Sequence, residues 1–205
     1  MSNEPSIFEK TYKDYLTQLA RMDFASIEQK LNVQMVGEGV TIPLYGKPYK
    51  VSAKGITDPS GGRPSLDICV ILSKYLLLCP DNRPAEKEWV SYKDLKDSGP
   101  LTTYFANDVE RAVASCFAGR LHDLKAATKN LGGYPPDIEA EYDVSAQFSA
   151  LPRVPVILFF SDKDEEFPAQ SLLLFERRAE RYLDAECLAM VGRLLFTCLK
   201  KAFIT

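Results

Sequence analysis

The feature that most constrains the fold is an apolar segment, residues 66–78, that has almost no polar side. Ser65 stands before it as a suitable helix N-cap, and Pro80 follows it as a helix breaker. Because a helix that is apolar on all sides must be covered on all sides, the segment predicts a helix buried in the centre of a core. It contains Asp67 and Lys74 and is shorter than the roughly 20 apolar residues needed to cross a bilayer.

Two stretches of the sequence alternate between apolar and polar residues with the period of a β-strand. In the first, residues 40–53, two alternating segments flank a turn sequence at residues 45–48, and this arrangement predicts a hairpin. The second starts at Glu141 and leads into residues 154–160, an uninterrupted apolar run typical of a strand covered on both faces. With a third strand at residues 171–175, the short connections predict an antiparallel meander.

Apolar residues at helical spacing predict helices over residues 5–21, 24–31 and 104–129, and a C-terminal helix that Asp184 caps. Helices and strands do not alternate regularly, so the predicted fold class is α+β: a meander and a hairpin packed with several helices, one of them fully buried. The sequence contains no repeat, low-complexity segment or linker. We therefore expect a single domain over residues 1–205, with the N-terminal helices of residues 1–32 packed on its outside.

The charge balance argues against a nucleic-acid-binding protein. The chain has 25 basic and 28 acidic residues, a net charge of −3 and a pI near 5.4, whereas nucleic-acid-binding domains usually show a basic patch and a pI above about 9. The first residues lack the basic and apolar segments of a secretory signal. We therefore expect a cytoplasmic protein whose partner is a small molecule or another protein, and neither a nucleic acid nor a membrane.

Cysteine and histidine give little support for catalysis. The five cysteines form no C-x-x-C pair, and Cys187 and Cys198 lie about 16 Å apart along one predicted helix, too far for a shared zinc ion. We predict that the cysteines are small buried apolar residues. The single histidine, His122, falls opposite the apolar side of its helix, so a nucleophile–histidine pair is not expected. No reaction follows from these residues, and whether the chain is an enzyme stays open.

The densest polar feature is the acidic segment at residues 162–166, in which Asp162, Asp164 and Glu166 are weak candidates for metal ligands. The spacing does not fit the EF-hand loop, because Phe167 stands where that loop requires glycine. The favoured interpretation is a solvated hairpin turn whose charges discourage edge-to-edge pairing. The sequence therefore predicts no metal site, with these three carboxylates as the weak alternative.

A second candidate is the glycine-rich loop at residues 60–65, which enters the apolar helix. The backbone amides of Gly61 and Gly62, the helix dipole and Arg63 together suit a phosphate or a carboxylate. The loop matches neither a P-loop nor a dinucleotide-binding motif, and an ordinary loop with a helix cap is favoured. Trp89, the only tryptophan, suits stacking against a ligand, although a buried core tryptophan is the commoner case.

Several segments resemble an uncharacterised bacterial and archaeal family, the domain of unknown function DUF3786. The most specific are A-L-P-R-V-P-V at residues 150–156 and D-E-E-F-P-A at residues 164–169. The other matching segments are L-Y-G-K-P-Y-K-V at 44–51, G-G-x-P-S-L at 61–66, E-W-V-S-Y at 88–92, Y-F at 104–105, L-F-E-R-R-A at 174–179 and Y-L at 182–183. The resemblance covers most of the chain from about residue 40 onwards.

The resemblance implies no activity, because none is assigned to the family. Some relatives are joined to an iron–sulfur-binding segment and the family is frequent in anaerobes, which implies a link to anaerobic redox or corrinoid metabolism. This chain has no cysteine spacing of the kind that binds an iron–sulfur cluster, so its own residues do not support that role.

Loop motifs rather than catalytic pairs are the distinctive residues, so the leading hypothesis is a non-catalytic accessory domain that binds a ligand or a protein. We expect its recognition surface to combine residues from separate loops: Gly61, Gly62, Arg63, Trp89, Arg153, Asp164, Glu165 and Glu166. The alternative is a metal-assisted hydrolase or transferase that uses the carboxylates of residues 162–166. A purely structural interaction module is the third possibility. The leading hypothesis requires that the loops meet in one cleft.

Overall fold

Two four-stranded antiparallel sheets and a set of helices make up the fold in the computed structural model, which describes residues 7–204. The helices are α1 (Ile7–Leu19), α2 (Phe24–Leu31), α3 (Leu66–Leu77), α4 (Thr102–Tyr104), α5 (Arg111–Phe117), α6 (Leu121–Asn130) and α7 (Ala185–Ile204). The strands are β1 (Gln34–Val36), β2 (Gly39–Leu44), β3 (Lys47–Ser52), β4 (Gly55–Thr57), β5 (Trp89–Ser91), β6 (Val144–Leu151), β7 (Val154–Ser161) and β8 (Gln170–Glu176). A π-helical turn, Phe105–Glu110, joins α4 to α5. The predicted α+β class is confirmed.

The first sheet has the order β1-β2-β3-β4, and the predicted hairpin forms its centre. Its turn consists of Tyr45 and Gly46 alone, at φ 48° and 76°. Two consecutive positive φ angles belong to the tight turn that suits the twist of a hairpin. Tyr45 is held in this conformation because its hydroxyl donates to the Val191 carbonyl oxygen at 2.9 Å in the core. The short outer strands β1 and β4 are not predicted by the alternation.

The second sheet has the order β5-β8-β7-β6 and contains the predicted meander. Val156 on β7 lies opposite Phe148 on β6 and Phe175 on β8. The neighbours Leu158 and Phe159 point to opposite faces of the sheet and both are buried. This confirms the prediction of a strand covered on both faces.

The apolar segment forms α3, which packs against α1 and α7. Its buried residues are Cys69, Ile71, Leu72, Ser73, Tyr75 and Leu76. Asp67 is exposed, so the first turn of this core helix reaches the solvent rather than being fully enclosed. Ser65 occupies the N-cap position, but its side chain makes no capping hydrogen bond. The N-terminal helices also contribute to the core, since Leu19 and Leu31 are fully buried.

The helix predicted over residues 104–129 is wrong in one respect, because it is interrupted. α5 ends at Phe117 and α6 begins at Leu121. Between them Gly119 has φ +70°, and its amide donates to Oδ1 of Asp162 at 2.6 Å. A glycine in the left-handed conformation is a common way to end a helix. The apolar spacing continues across the break and therefore hides it.

One continuous cluster of buried apolar side chains extends from Tyr12 in α1 to Leu199 in α7. Asp184 caps α7 as predicted, because its Oδ1 accepts a hydrogen bond from the Cys187 amide at 2.9 Å. The five cysteines are free thiols, each buried or half-buried. No helix within residues 7–204 has the length and apolar character needed to span a membrane.

Candidate functional site

The structure does not bring the predicted site residues into one cleft. β7 is eight residues long, with Arg153 before it and Asp164 after it. Eight residues of extended strand span about 26 Å, so Arg153 and Asp164 lie at opposite ends of the second sheet. Residues 162–166, the acidic turn, lie between β7 and β8. Trp89 lies opposite Glu176, at the other end of β8. The condition on which the combined recognition surface depends is therefore not met.

The glycine-rich loop is occupied by a carboxylate of the chain itself. Oδ1 of Asp58 accepts hydrogen bonds from the Ser60 hydroxyl at 2.6 Å, the Ser60 amide at 3.0 Å and the Gly62 amide at 3.1 Å. These bonds, the hydroxyl bond first, hold the pKa of Asp58 below its ordinary value. The Gly61 amide donates to the Asp58 carbonyl oxygen at 2.9 Å. A phosphate would have to displace Asp58 from these amides.

The two arginines of the predicted surface hold elements of the fold together. Arg63 donates to Oε1 of Glu9 at 2.8 Å, and its guanidinium lies 4.0 Å from the centre of the Tyr12 ring, which ties the loop to α1. Arg153 donates through Nε and Nη2 to the carbonyl oxygens of residues 30 and 29, at 3.1 and 3.0 Å. Carbonyl groups in the last turn of a helix have no partner within the helix, so Arg153 caps α2.

Trp89 is half-buried rather than a core residue. Its Nε1 donates to Oδ1 of Asp137 at 3.3 Å, a carboxylate on the loop that precedes β6. The indole therefore fastens this loop to the edge of the sheet.

The acidic turn is also held by hydrogen bonds to one of its own carboxylates. Oδ1 of Asp164 accepts hydrogen bonds from the amides of Phe167 at 2.7 Å and Glu166 at 2.8 Å, and both bonds lower the pKa of Asp164. Asp162 binds the glycine amide of the helix break described above. The side chains of Glu165 and Glu166 are exposed. Within residues 7–204, no three carboxylate, histidine or cysteine side chains are grouped so that they could hold a metal ion.

A cavity away from these loops is lined by two carboxylates, each of which uses one oxygen in a hydrogen bond within the protein. It lies between the end of β5 and the π-helical turn and has a volume of about 370 Å³. We call it the Glu110 cleft, and its lining residues are Ser91, Tyr92, Lys93, Asp94, Thr102, Phe105, Ala106, Glu110 and Leu172.

The cleft exists because β5 is shorter than β8. β5 ends at Ser91, opposite Leu174, so the first half of β8 has no strand on that side. Glu110 takes the place of that strand: its Oε1 accepts a hydrogen bond from the Leu173 amide at 3.0 Å, and its carbonyl oxygen accepts one from the Ser171 hydroxyl at 2.6 Å. The π-helical turn ends at Glu110 and places it against the open edge.

A glycine on α7 sets the position of the π-helical turn. A Cβ atom at Gly192 would lie 2.6 Å from Cε2 of Phe105, a separation that real Cβ atoms do not reach. Phe105 is buried in that space and stacks on Tyr92, with the ring centres 4.2 Å apart. The Tyr92 hydroxyl donates to the Ala185 carbonyl oxygen at 2.9 Å. The floor of the cleft is therefore a fixed aromatic pair.

Burial dominates the electrostatics of the cleft. It raises the pKa of Glu110 above the ordinary value of 4.5, while the Leu173 amide and, more weakly, the charge of Lys93 act in the opposite direction. On the other wall, the Ser91 hydroxyl donates to Oδ2 of Asp94 at 2.5 Å. The cleft thus presents one half-buried carboxylate, Glu110, and one exposed carboxylate, Asp94.

Sequence reasoning misses the cleft, although one signal points to it. Phe105, Val109, Val113 and Phe117 are all buried at a strict spacing of four residues. At 3.6 residues per turn, such a spacing drifts around an α-helix by about 40° at each step. A wider π-helical turn takes up part of that drift, and such turns are frequent at functional sites. The strict spacing is therefore a signal for the turn that carries Glu110.

Comparison with known proteins assigns a family and no activity. The model of a family described as a domain of unknown function, DUF3786, matches residues 23–197. No curated protein matches the chain, and no solved structure does.

Proposed function

The chain belongs to the DUF3786 family, and we propose that it is a non-catalytic domain that binds a small molecule in the Glu110 cleft. The observation that carries this proposal is the half-buried Glu110 carboxylate on the wall of a cavity of about 370 Å³. Ligand sites typically measure about 300–1,000 Å³ and combine an apolar lining with a few polar groups. Leu172 and Ala106 supply accessible apolar surface, and Glu110 and Asp94 supply the polar groups.

Binding is favoured over catalysis by the partners of the polar groups. The only histidine, His122, has 98% of its side chain exposed on α6, so no imidazole activates a nucleophile in the cleft. The Ser91 hydroxyl donates to the carboxylate of Asp94, an exposed residue, and is therefore not free to act as a nucleophile without breaking this bond. These groups suit recognition of a ligand more directly than a chemical step.

A variant that fills the cleft tests the proposal. Ala106 lines the cavity, so Ala106→Trp should occupy it, whereas Asn107→Trp places the same ring on the exposed neighbour outside the lining. We would screen a mixture of small fluorinated fragments by ligand-observed fluorine NMR against all three proteins. Fragments that bind the wild type should be lost with Ala106→Trp and kept with Asn107→Trp. Equal binding to both variants would refute the cleft as the site.

The metal-assisted hydrolase or transferase stays the rival proposal, and the contacts of the acidic turn weigh against it. Asp162 and Asp164 accept backbone hydrogen bonds that a metal ion would have to break. Mg²⁺, Mn²⁺, Ca²⁺ and Zn²⁺ should therefore leave the melting temperature of the wild type unchanged. A rise with one of these ions that disappears in the double variant Asp164→Ala/Glu166→Ala would support the rival, because a ligand of the folded state stabilises it.

Three further expectations stay predictions: a cytoplasmic location, recognition by the individual loops around Gly61–Arg63 and the acidic turn, and a link to anaerobic redox or corrinoid metabolism. The last is tested by adding the chain to hydroxocobalamin. A change in the visible spectrum of the corrinoid would support the link, and an unchanged spectrum would count against it.

A further inference from the structure

The hydrogen-bond donors of the Glu110 cleft are already used within the protein. The Ser91 hydroxyl donates to Asp94, and the Tyr92 hydroxyl donates to the Ala185 carbonyl oxygen. The Thr102 hydroxyl donates to the Ser98 carbonyl oxygen at 3.1 Å. Among the lining side chains of the described residues, this leaves the ammonium group of Lys93, an exposed residue, as the donor that a ligand could use.

The hydrogen-bond acceptors of the cleft, by contrast, are only partly used within the protein. Glu110 uses Oε1 for the Leu173 amide and Asp94 uses Oδ2 for the Ser91 hydroxyl. Among residues 7–204, no hydrogen bond ends on the second oxygen of either carboxylate. No ion pair joins Lys93 to either of them in the same part of the chain. The lining therefore carries two carboxylates and one ammonium group. Arg177, outside the lining, lies next to Asp94 but donates to its carbonyl oxygen, at 3.2 Å, and pairs with Glu88.

We propose that the ligand of the Glu110 cleft is a small organic ammonium compound whose charged end donates hydrogen bonds to Glu110 and Asp94. The inference rests on the proposed function, since it assigns a chemical class to the same cleft. An ammonium group brings three donors and a positive charge, and hydrogen bonds between charged groups are about twice as strong as neutral ones. The carbon chain of such a ligand would lie against Leu172 and Ala106, the lining residues that keep accessible apolar surface.

Three probes of matched size test this class. n-Butylammonium, 1-butanol and butyrate share one carbon chain length and differ in charge and in donors. We would titrate each into ¹⁵N-labelled protein at neutral pH and follow the amide shifts of Leu173 and Phe105. The variants are Glu110→Gln, which keeps an oxygen for the Leu173 amide, and Asp108→Asn, a matched control on the exposed side of the same turn.

We expect n-butylammonium to bind the wild type and the Asp108→Asn variant, and to bind Glu110→Gln at least about tenfold more weakly. If 1-butanol or butyrate shifts these amides with the same affinity as n-butylammonium, the ammonium class is overturned while the cleft stays a binding site. The same conclusion follows if all three probes fail and the fluorinated fragments still bind there. If neither the probes nor the fragments shift these amides, the proposed function fails as well.

Discussion

A single guanidinium group joins the second sheet to α2. Arg153 donates to two carbonyl oxygens in the last turn of α2, and the Tyr75 hydroxyl donates to the Leu31 carbonyl oxygen beside them at 2.9 Å. Hydrogen bonds that involve a charged group contribute about 1.5–3 kcal/mol. Arg153→Gln should therefore lower the free energy of unfolding by about 1–3 kcal/mol in urea denaturation. Arg21→Gln, an exposed arginine after α1, serves as the control, and equal losses in both variants would contradict the capping role.

The half-buried Glu110 gives the molecule a specific response to pH. Burial raises its pKa above 4.5, so the carboxyl stabilises the folded state below that pH and the contribution is lost as the pH rises through the folded-state pKa. When the pH is lowered from neutral to about 4.5, the free energy of unfolding of the wild type should rise relative to that of Glu110→Gln. Urea midpoints of both proteins at the two pH values measure this gain. A constant difference would show that Glu110 is not desolvated.

At the level of elements, the break between α5 and α6 depends on Gly119. Its φ of +70° is unfavourable for residues with a side chain by roughly 1–2 kcal/mol, and an added Cβ would lie 3.1 Å from Cε of Lys163. Gly119→Ala should therefore lower the free energy of unfolding by about 1–2 kcal/mol. Gly99→Ala is the matched control, because a Cβ there meets open space. A stable Gly119→Ala variant would mean that the two helices can merge.

The elements that sequence analysis finds are those with a long apolar pattern. The hairpin and β6 alternate between apolar and polar residues, whereas α3 and β7 are nearly continuous apolar runs. β1 and β4 have three residues each, too few to establish an alternation. Sequence analysis misses the helix break at Gly119 because apolar residues continue at helical spacing from Phe117 to Leu121.

The Glu110 cleft depends on pairing between distant segments, and this explains why sequence analysis does not name Glu110. Glu110 lines a cleft only because β5 stops at Ser91 and leaves the edge of β8 open. The loops that look distinctive, by contrast, satisfy their own polar groups: Asp58 fills the glycine-rich loop and Asp164 fills the acidic turn. Composition identifies polar groups, whereas only the fold shows which of them are already bound.

For the whole molecule, buried phenol groups set the alkaline limit of stability. Burial raises the pKa values of Tyr45, Tyr75 and Tyr182, and it raises the pKa of Tyr92 to about 12. A phenol with a raised pKa stabilises the folded state below its ordinary pKa of 10, and this contribution is lost as the pH rises towards about 12. Stability should therefore fall steeply over this interval. Tyr92→Phe should show a shallower fall in urea midpoint, and identical slopes would contradict this origin.

We propose that a small-molecule ligand binds this chain in the Glu110 cleft in preference to the glycine-rich or acidic loops. The most direct measurement is a map of amide shifts in the ¹H–¹⁵N spectrum while a fluorinated fragment selected on the wild type is titrated in. We expect the shifts to concentrate in residues 91–94, 105–110 and 172–173. Shifts confined to residues 58–65 or 162–168 would contradict it.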